Sequence, residues 1–200
     1  MSRKSWTRRT TYKNLDDYLN SYGKYIKKQA KKVVDKKTKG SGKLSRALKY
    51  DVRYAKGDFE IDFRSNKYGE YVEKGVRGVG GLVRKKGDGQ PILRQGYRTY
   101  IDLEGKRKRS PYQFKGTRPP IGNIMKWMGS AGISPKAGQT LKGVAHAISY
   151  GIFRQGIPAL SFYTQPISAT RGLFIRKLIQ NYSKDLEAGV ITHGFKAKLN

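Results

Sequence analysis

Leu48-Lys49-Tyr50-Asp51-Val52-Arg53-Tyr54-Ala55-Lys56-Gly57-Asp58-Phe59-Glu60-Ile61-Asp62-Phe63 is the stretch that decides the fold. Leu48, Tyr50, Val52 and Tyr54 alternate with polar residues, and Phe59, Ile61 and Phe63 do the same after Lys56-Gly57-Asp58. Side chains on a strand point to opposite faces with a period of two, so two such runs around a Gly-Asp turn predict an antiparallel β-hairpin. One face of that hairpin is apolar and needs a cover, which the flanking sequence supplies as helices.

Upstream, Asn14 is placed to cap a helix, with Asp16 and Asp17 in its first turn. Leu15, Leu19, Tyr22, Ile26, Ala30 and Val33 follow at three- and four-residue steps, while Lys24, Lys27, Lys28, Lys31, Lys32, Lys36 and Lys37 fill the other side. Gly40-Ser41-Gly42 breaks this helix, and Leu44 to Ala47 suits one further turn. Residues 1–11 read as a disordered basic arm, leaving 12–200 as a single α+β domain.

Downstream, Asn66 to Lys74 reads as a short helix or turn. Residues 76–120 read as an extended basic insertion loop, glycine-rich at its start. Its local hairpin is expected to join Ile92–Leu93 to the alternating Tyr97 to Leu103 run. Pro120 suits the first position of a helix bearing Ile121, Ile124, Met125, Trp127 and Met128. A second helix carries Leu141, Val144, Ala145, Ile148 and Ile152, ending at Gly156, and a long one runs from Ile167 to Leu186. Residues 189–200 read as a short strand and tail. The expected fold is therefore α+β: an N-terminal helix, an antiparallel sheet with a hairpin, a long basic insertion loop, and C-terminal helices on the sheet.

Composition narrows function. The 200 residues hold 43 Lys and Arg against 14 Asp and Glu, a net charge of +29. A field of that size attracts polyanions or acidic protein surfaces. Cysteine is absent, which excludes disulfides, thiolate zinc sites and a cysteine nucleophile. Basic Met1 to Arg9 is not followed by an apolar run, so no secretory signal is expected, and no stretch nears the ~18 apolar residues of a membrane span.

The catalytic constellations are thin. His146 and His193 fall in different elements without a partner acid or a metal-ligand spacing. Asp58, Glu60 and Asp62 share one face of a strand and could hold Mg²⁺ against phosphate; the plainer reading pairs them with Arg53 and Lys49 across the hairpin. Gly78 to Gly81 is a flexible loop rather than a phosphate cradle. Tyr97-Arg98-Thr99-Tyr100 and Tyr112-Gln113-Phe114-Lys115 interleave cations with aromatics, as single-strand binders do. With no recognition motif, they point to non-specific backbone contact. No metal or cofactor is expected.

One segment carries more. Tyr68-Gly69-Glu70-Tyr71-Val72-Glu73-Lys74-Gly75-Val76-Arg77-Gly78 resembles the Y-x-x-Y-V-E-x-G-T-R-G element of the HK97 gp10-like phage tail-completion (neck, head–tail joining) proteins, with Val76 in place of the usual threonine. Gly40-Ser41-Gly42-Lys43-Leu44 is similar to that family's T-G-x-L step, and Phe162-Tyr163-Thr164-Gln165-Pro166 to its aromatic-proline step into a C-terminal helix. The likeness spans about 45–75 and 120–187, in order; the long insertion and the high charge depart from it.

The resemblance implies a structural, non-enzymatic virion protein. It would form a homo-oligomeric ring of about six or twelve copies between a portal or head–tail adaptor protein and a tail terminator or tail tube protein. Genomic DNA would pass through the channel, and no membrane would be involved. The place would be the virion neck, and the host cytoplasm during assembly. On this reading Tyr68, Tyr71 and Val72 anchor the loop, Glu73 forms a salt bridge or fixes the loop backbone, and Gly75 is its hinge. Lys27, Lys28, Lys31, Lys32, Arg84, Lys85, Lys86, Lys106, Arg107, Lys108 and Arg109 are the candidate contacts to DNA or an acidic partner. The alternative is a free, non-specific nucleic-acid-binding protein.

Overall fold

A computed structural model describes residues 12–38, 42–55, 58–84, 91–94 and 98–194. The basic arm of residues 1–11 lies outside them, as do Lys85 and Lys86. The chain is α+β. Helix α1 (Lys13–Lys37) and the single turn α2 (Lys43–Ala47) lead into hairpin strands β1 (Lys49–Ala55) and β2 (Asp58–Arg64). Helix α3 (Lys67–Lys74) and β3 (Val76–Arg77) follow, then β4 (Gly81–Arg84), β5 (Pro91–Arg94), β6 (Thr99–Ile101) and β7 (Arg107–Arg109). The C-terminal part is α4 (Ile121–Ser130), α5 (Leu141–Gln155), β8 (Gly156–Ile157) and α6 (Thr164–Gly194).

The β1–β2 hairpin pairs from Lys49↔Arg64 to Ala55↔Asp58, the register that the alternation requires. Asp51 and Asp62 face each other in it. Like charges directly opposite are unfavourable, and two arginines relieve them. Arg64 Nε lies 2.7 Å and Arg53 Nη2 3.0 Å from Asp62 Oδ2, and both guanidiniums also reach Asp51. Arg53 was the expected partner of the strand acids, whereas Arg64, not Lys49, is the second.

Among the described residues the strands form four two-stranded ribbons rather than one sheet: β1–β2, β3–β8, β4–β5 and β6–β7, all antiparallel. The insertion therefore contains two hairpins, and Ile92 and Leu93 pair with Val83 and Leu82, not with the 97–103 run. Its second half is tied down. Arg77 N–H donates to the Tyr112 carbonyl (2.8 Å), Phe114 N–H to Arg77 (3.0 Å), and Ile101 N–H to Ser161 Oγ (3.0 Å). Periodicity could not show this, because those bonds join groups far apart in sequence.

Apolar burial falls in two clusters. The larger unites Ile26, Ala30 and Val34 of α1 with Leu44, Leu48, Val72, Phe162 and Tyr163. The smaller joins Ile124 and Met128 of α4 to Ala145 of α5, flanked by Val144, Ile148 and Ile152. The buried row of α1 is Leu15, Leu19, Gly23, Ile26, Ala30 and Val34. Gly23 belongs to it because a Cβ there would run into the Tyr50 ring of β1. Val34 takes the core position read for Val33, which is partly buried beside it.

Helix α6 lies along α1. Phe174 rests against Tyr22, with ring centroids 4.3 Å apart, and Tyr22 Oη meets Thr170 Oγ1 at 2.9 Å. Tyr182 stacks on Tyr12 and reaches Phe59 of the hairpin. The helix runs to Gly194, so residues 189–194 are helical instead of the expected strand. Asn14 does not cap α1. That role falls to Asp185 of α6, whose carboxylate accepts from Asn14 N–H (3.0 Å) and Leu15 N–H (2.9 Å) and from Asn14 Nδ2 (2.7 Å). A buried carboxylate at a helix N-terminus satisfies orphan donors and meets the positive end of the dipole.

Candidate functional site

The Tyr68–Gly78 segment begins as a well-formed helix. Asn66 caps α3 through its side chain, which accepts from Gly69 N–H at 2.9 Å. Gly69 is required there, because a Cβ would meet the Ser65 side chain. Three and four residues on from Gly69, Val72 and Glu73 are buried. Tyr68 and Tyr71 are not: they are 58% and 44% exposed. Of the three expected anchors, Val72 alone enters the core. Tyr71 instead lies on Tyr112, centroids 4.6 Å apart, and Tyr112 Oη donates to Glu70 Oε2 at 2.7 Å. That bond raises the Tyr112 phenol to a pKa of about 12, with burial adding to it.

Glu73 does not hold the loop. Its Oε1 accepts from Thr164 N–H (2.9 Å) and from Thr164 Oγ1 (2.7 Å), and its Oε2 accepts from Tyr163 N–H (3.1 Å). The carboxylate thus closes the N-terminus of α6, and among the described residues it has no ion-pair partner. Two backbone bonds run alongside, Leu160 N–H to Val72 (2.9 Å) and Ser161 N–H to Glu73 (3.1 Å). Ser161 sits in the left-handed region (φ 46°), a sparsely populated conformation that these bonds and its hydroxyl help to hold.

Tyr163, beside the cap, spans to the hairpin. Its hydroxyl donates to the carbonyls of Lys49 and Arg64, the pair at the base of β1–β2. Burial first, and then the neighbouring Glu73 charge, push its phenol well above the ordinary tyrosine range. Two short segments about ninety residues apart therefore meet at one junction that ties α3, the hairpin and α6 together.

Gly75 is pinned, not a hinge. It is buried with φ +70°, and a Cβ there would lie 2.7 Å from both Ala159 N and the Ile157 carbonyl oxygen. Its carbonyl accepts from Ser110 Oγ at 2.7 Å. A Cβ at Gly78 would run into the Arg154 carbonyl near the end of α5, and one at Gly156 into the Val76 carbonyl of β3, so the β3–β8 ribbon relies on glycines that let backbone meet backbone.

The basic candidates divide. Lys27, Lys28, Lys31 and Lys32 lie together on the exposed side of α1. Lys106 and Lys108 are occupied: Lys106 Nζ is 2.9 Å from Glu104 Oε2, and Lys108 Nζ is 3.0 Å from Asp102 Oδ2. That lysine, helped by the Lys106 and Glu104 backbone N–H groups, lowers the Asp102 carboxyl below its usual range. Arg107 and Arg109 share β7 with Lys108, and Arg84 ends β4.

Thr164, Ser110 and Asp185 were not singled out by sequence. The signal at Thr164 was present, a threonine two residues before Pro166 at the start of a helix. The Ser110 and Asp185 roles depend on partners 35 and 171 residues away. Among the described residues no three His, Asp or Glu side chains gather as a metal site, and no helix is long and apolar enough to cross a membrane. No protein-family model, curated protein or solved structure matches the chain.

Proposed function

We propose that this chain is a structural, non-enzymatic subunit of the neck of a tailed phage. Copies of it close a homo-oligomeric ring between the portal or its adaptor and the tail terminator or tube, leaving a channel for DNA. The observation that carries the reading is an apolar ridge left uncovered on one copy. Ile175, Ile179 and Leu186 of α6 are all exposed, Ile179 to 58%. Spaced by four and seven residues, they fall within about 40° of one another on the helix. A ridge of this kind needs a neighbour, and an adjacent subunit supplies one. The order of the hairpin, the Tyr68–Gly78 segment and the Phe162–Pro166 step supports the same family reading.

Mass spectrometry of purified virions tests the assignment. The chain is expected in particles at the copy number of a neck ring, and lost from tailless heads. Its absence from intact virions would overturn the proposal. Ile179→Glu is expected to leave the circular dichroism spectrum unchanged while reducing tailed particles at least tenfold.

A further inference from the structure

Helix α1 presents five lysines, Lys24, Lys27, Lys28, Lys31 and Lys32, all exposed. At 100° per residue they fill an arc of roughly 140° opposite the buried row, over about 12 Å of helix axis. No acid lies in the sequence between Asp17 and Asp35. None of the five has an ion-pair partner among the described residues. That sets them apart from the hairpin arginines and from Lys106 and Lys108, whose charges are met by Asp51, Asp62, Glu104 and Asp102.

We infer that this ridge is a sequence-independent contact for the phosphate backbone of nucleic acid. Two observations favour phosphate over an acidic protein. Lysine is depleted in protein–protein interfaces, which centre on aromatic, Met or Arg anchors, and the ridge offers only Tyr25 at its edge. It also has no arginine among its five cations, hence no fork for bidentate carboxylate or base-edge recognition, whereas point-charge ammonium groups suit phosphate positioning. Measured along the duplex axis, where each strand presents a phosphate about every 3.4 Å, the ridge's length of about 12 Å spans three to four phosphates of one strand. The ridge depends on α1 alone, so it is independent of whether the chain forms a ring.

The test is fluorescence anisotropy of the full chain on an unrelated-sequence duplex across a salt series. Replacing Lys24, Lys27, Lys28, Lys31 and Lys32 with Gln is expected to lower the slope of log K against log salt by about 3, at ~0.9 per phosphate lost. Replacing Lys115, Lys126, Lys136, Lys142 and Lys184 with Gln removes the same charge elsewhere and is expected to leave the slope within about 1 of wild type. Five Lys→Arg changes on the ridge should retain it. Equal losses from both glutamine sets would mean that overall charge, not the ridge, does the binding, and would overturn the inference. So would a ridge variant that binds as the wild type does, or poly-glutamate competing as well as duplex at equal charge, which would assign the ridge to an acidic protein.

Discussion

Glu73→Ala removes the carboxylate that closes α6. Two backbone N–H groups, of Tyr163 and Thr164, and the Thr164 hydroxyl lose their acceptor in a site where Glu73 and Tyr163 are both buried. Losing an N-cap costs about 1 kcal/mol, and each buried donor left unmade costs about 1–3 kcal/mol. Because the hydroxyl can turn to another acceptor, the expected total is about 3 kcal/mol. At roughly 2–4 °C per kcal/mol for a chain this size, Tm should fall by about 6–12 °C. Glu73→Gln keeps one acceptor oxygen but turns an amide N–H₂ toward a backbone N–H, so about half that loss is expected. Urea unfolding followed by far-ultraviolet circular dichroism gives the midpoint, which should shift without a change in m. Pairing Glu73→Ala with Thr164→Val should show a coupling of at least about 0.5 kcal/mol. An alanine variant within about 0.5 kcal/mol of wild type would refute the capping role.

Gly75→Ala combines a strained backbone with a Cβ 2.7 Å from two backbone atoms; a loss of at least about 2 kcal/mol is expected in the same urea assay, where a hinge glycine would tolerate the change. Tyr112 supplies a pH test. Its folded pKa of about 12 lies above the ordinary value of 10, so the stabilisation from its bond to Glu70 is complete below about pH 10 and is lost as pH rises through 12. Absorbance titration of phenolate near 295 nm should show the transition near pH 12 disappear in Tyr112→Phe and move toward 10 in Glu70→Gln.

Local pattern made much of the fold legible. The hairpin register follows from period-two alternation around a glycine turn, and the α1, α4 and α5 faces follow from 3.6-residue periodicity. Sequence suggests a salt bridge or a loop-backbone contact for Glu73, whereas its partners, Tyr163 and Thr164, are 90 and 91 residues away. Tyr68 and Tyr71 looked like anchors by residue type, yet α3 turns only Gly69, Val72 and Glu73 inward. Gly75 looked like a hinge because glycine permits both freedom and close approach, and only the position of Ile157–Ala159 shows which one applies. The lysine ridge was legible outright, since helical spacing alone puts those side chains on one face.

Local pattern alone was enough for the β1–β2 hairpin, the faces of α1, α4 and α5, and the charge. Periodicities, helix-stopping glycines and the surplus of lysine are local or additive properties that need no partner to be read. Tertiary structure decided what the Tyr68–Gly78 segment does. A buried carboxylate is held wherever unsatisfied N–H groups await it, and those groups come from a distant part of the chain. Packing brought the start of α6 to Glu73 and the start of α1 to Asp185, so two of the few acids in a strongly basic chain serve as caps for helices in which they do not reside.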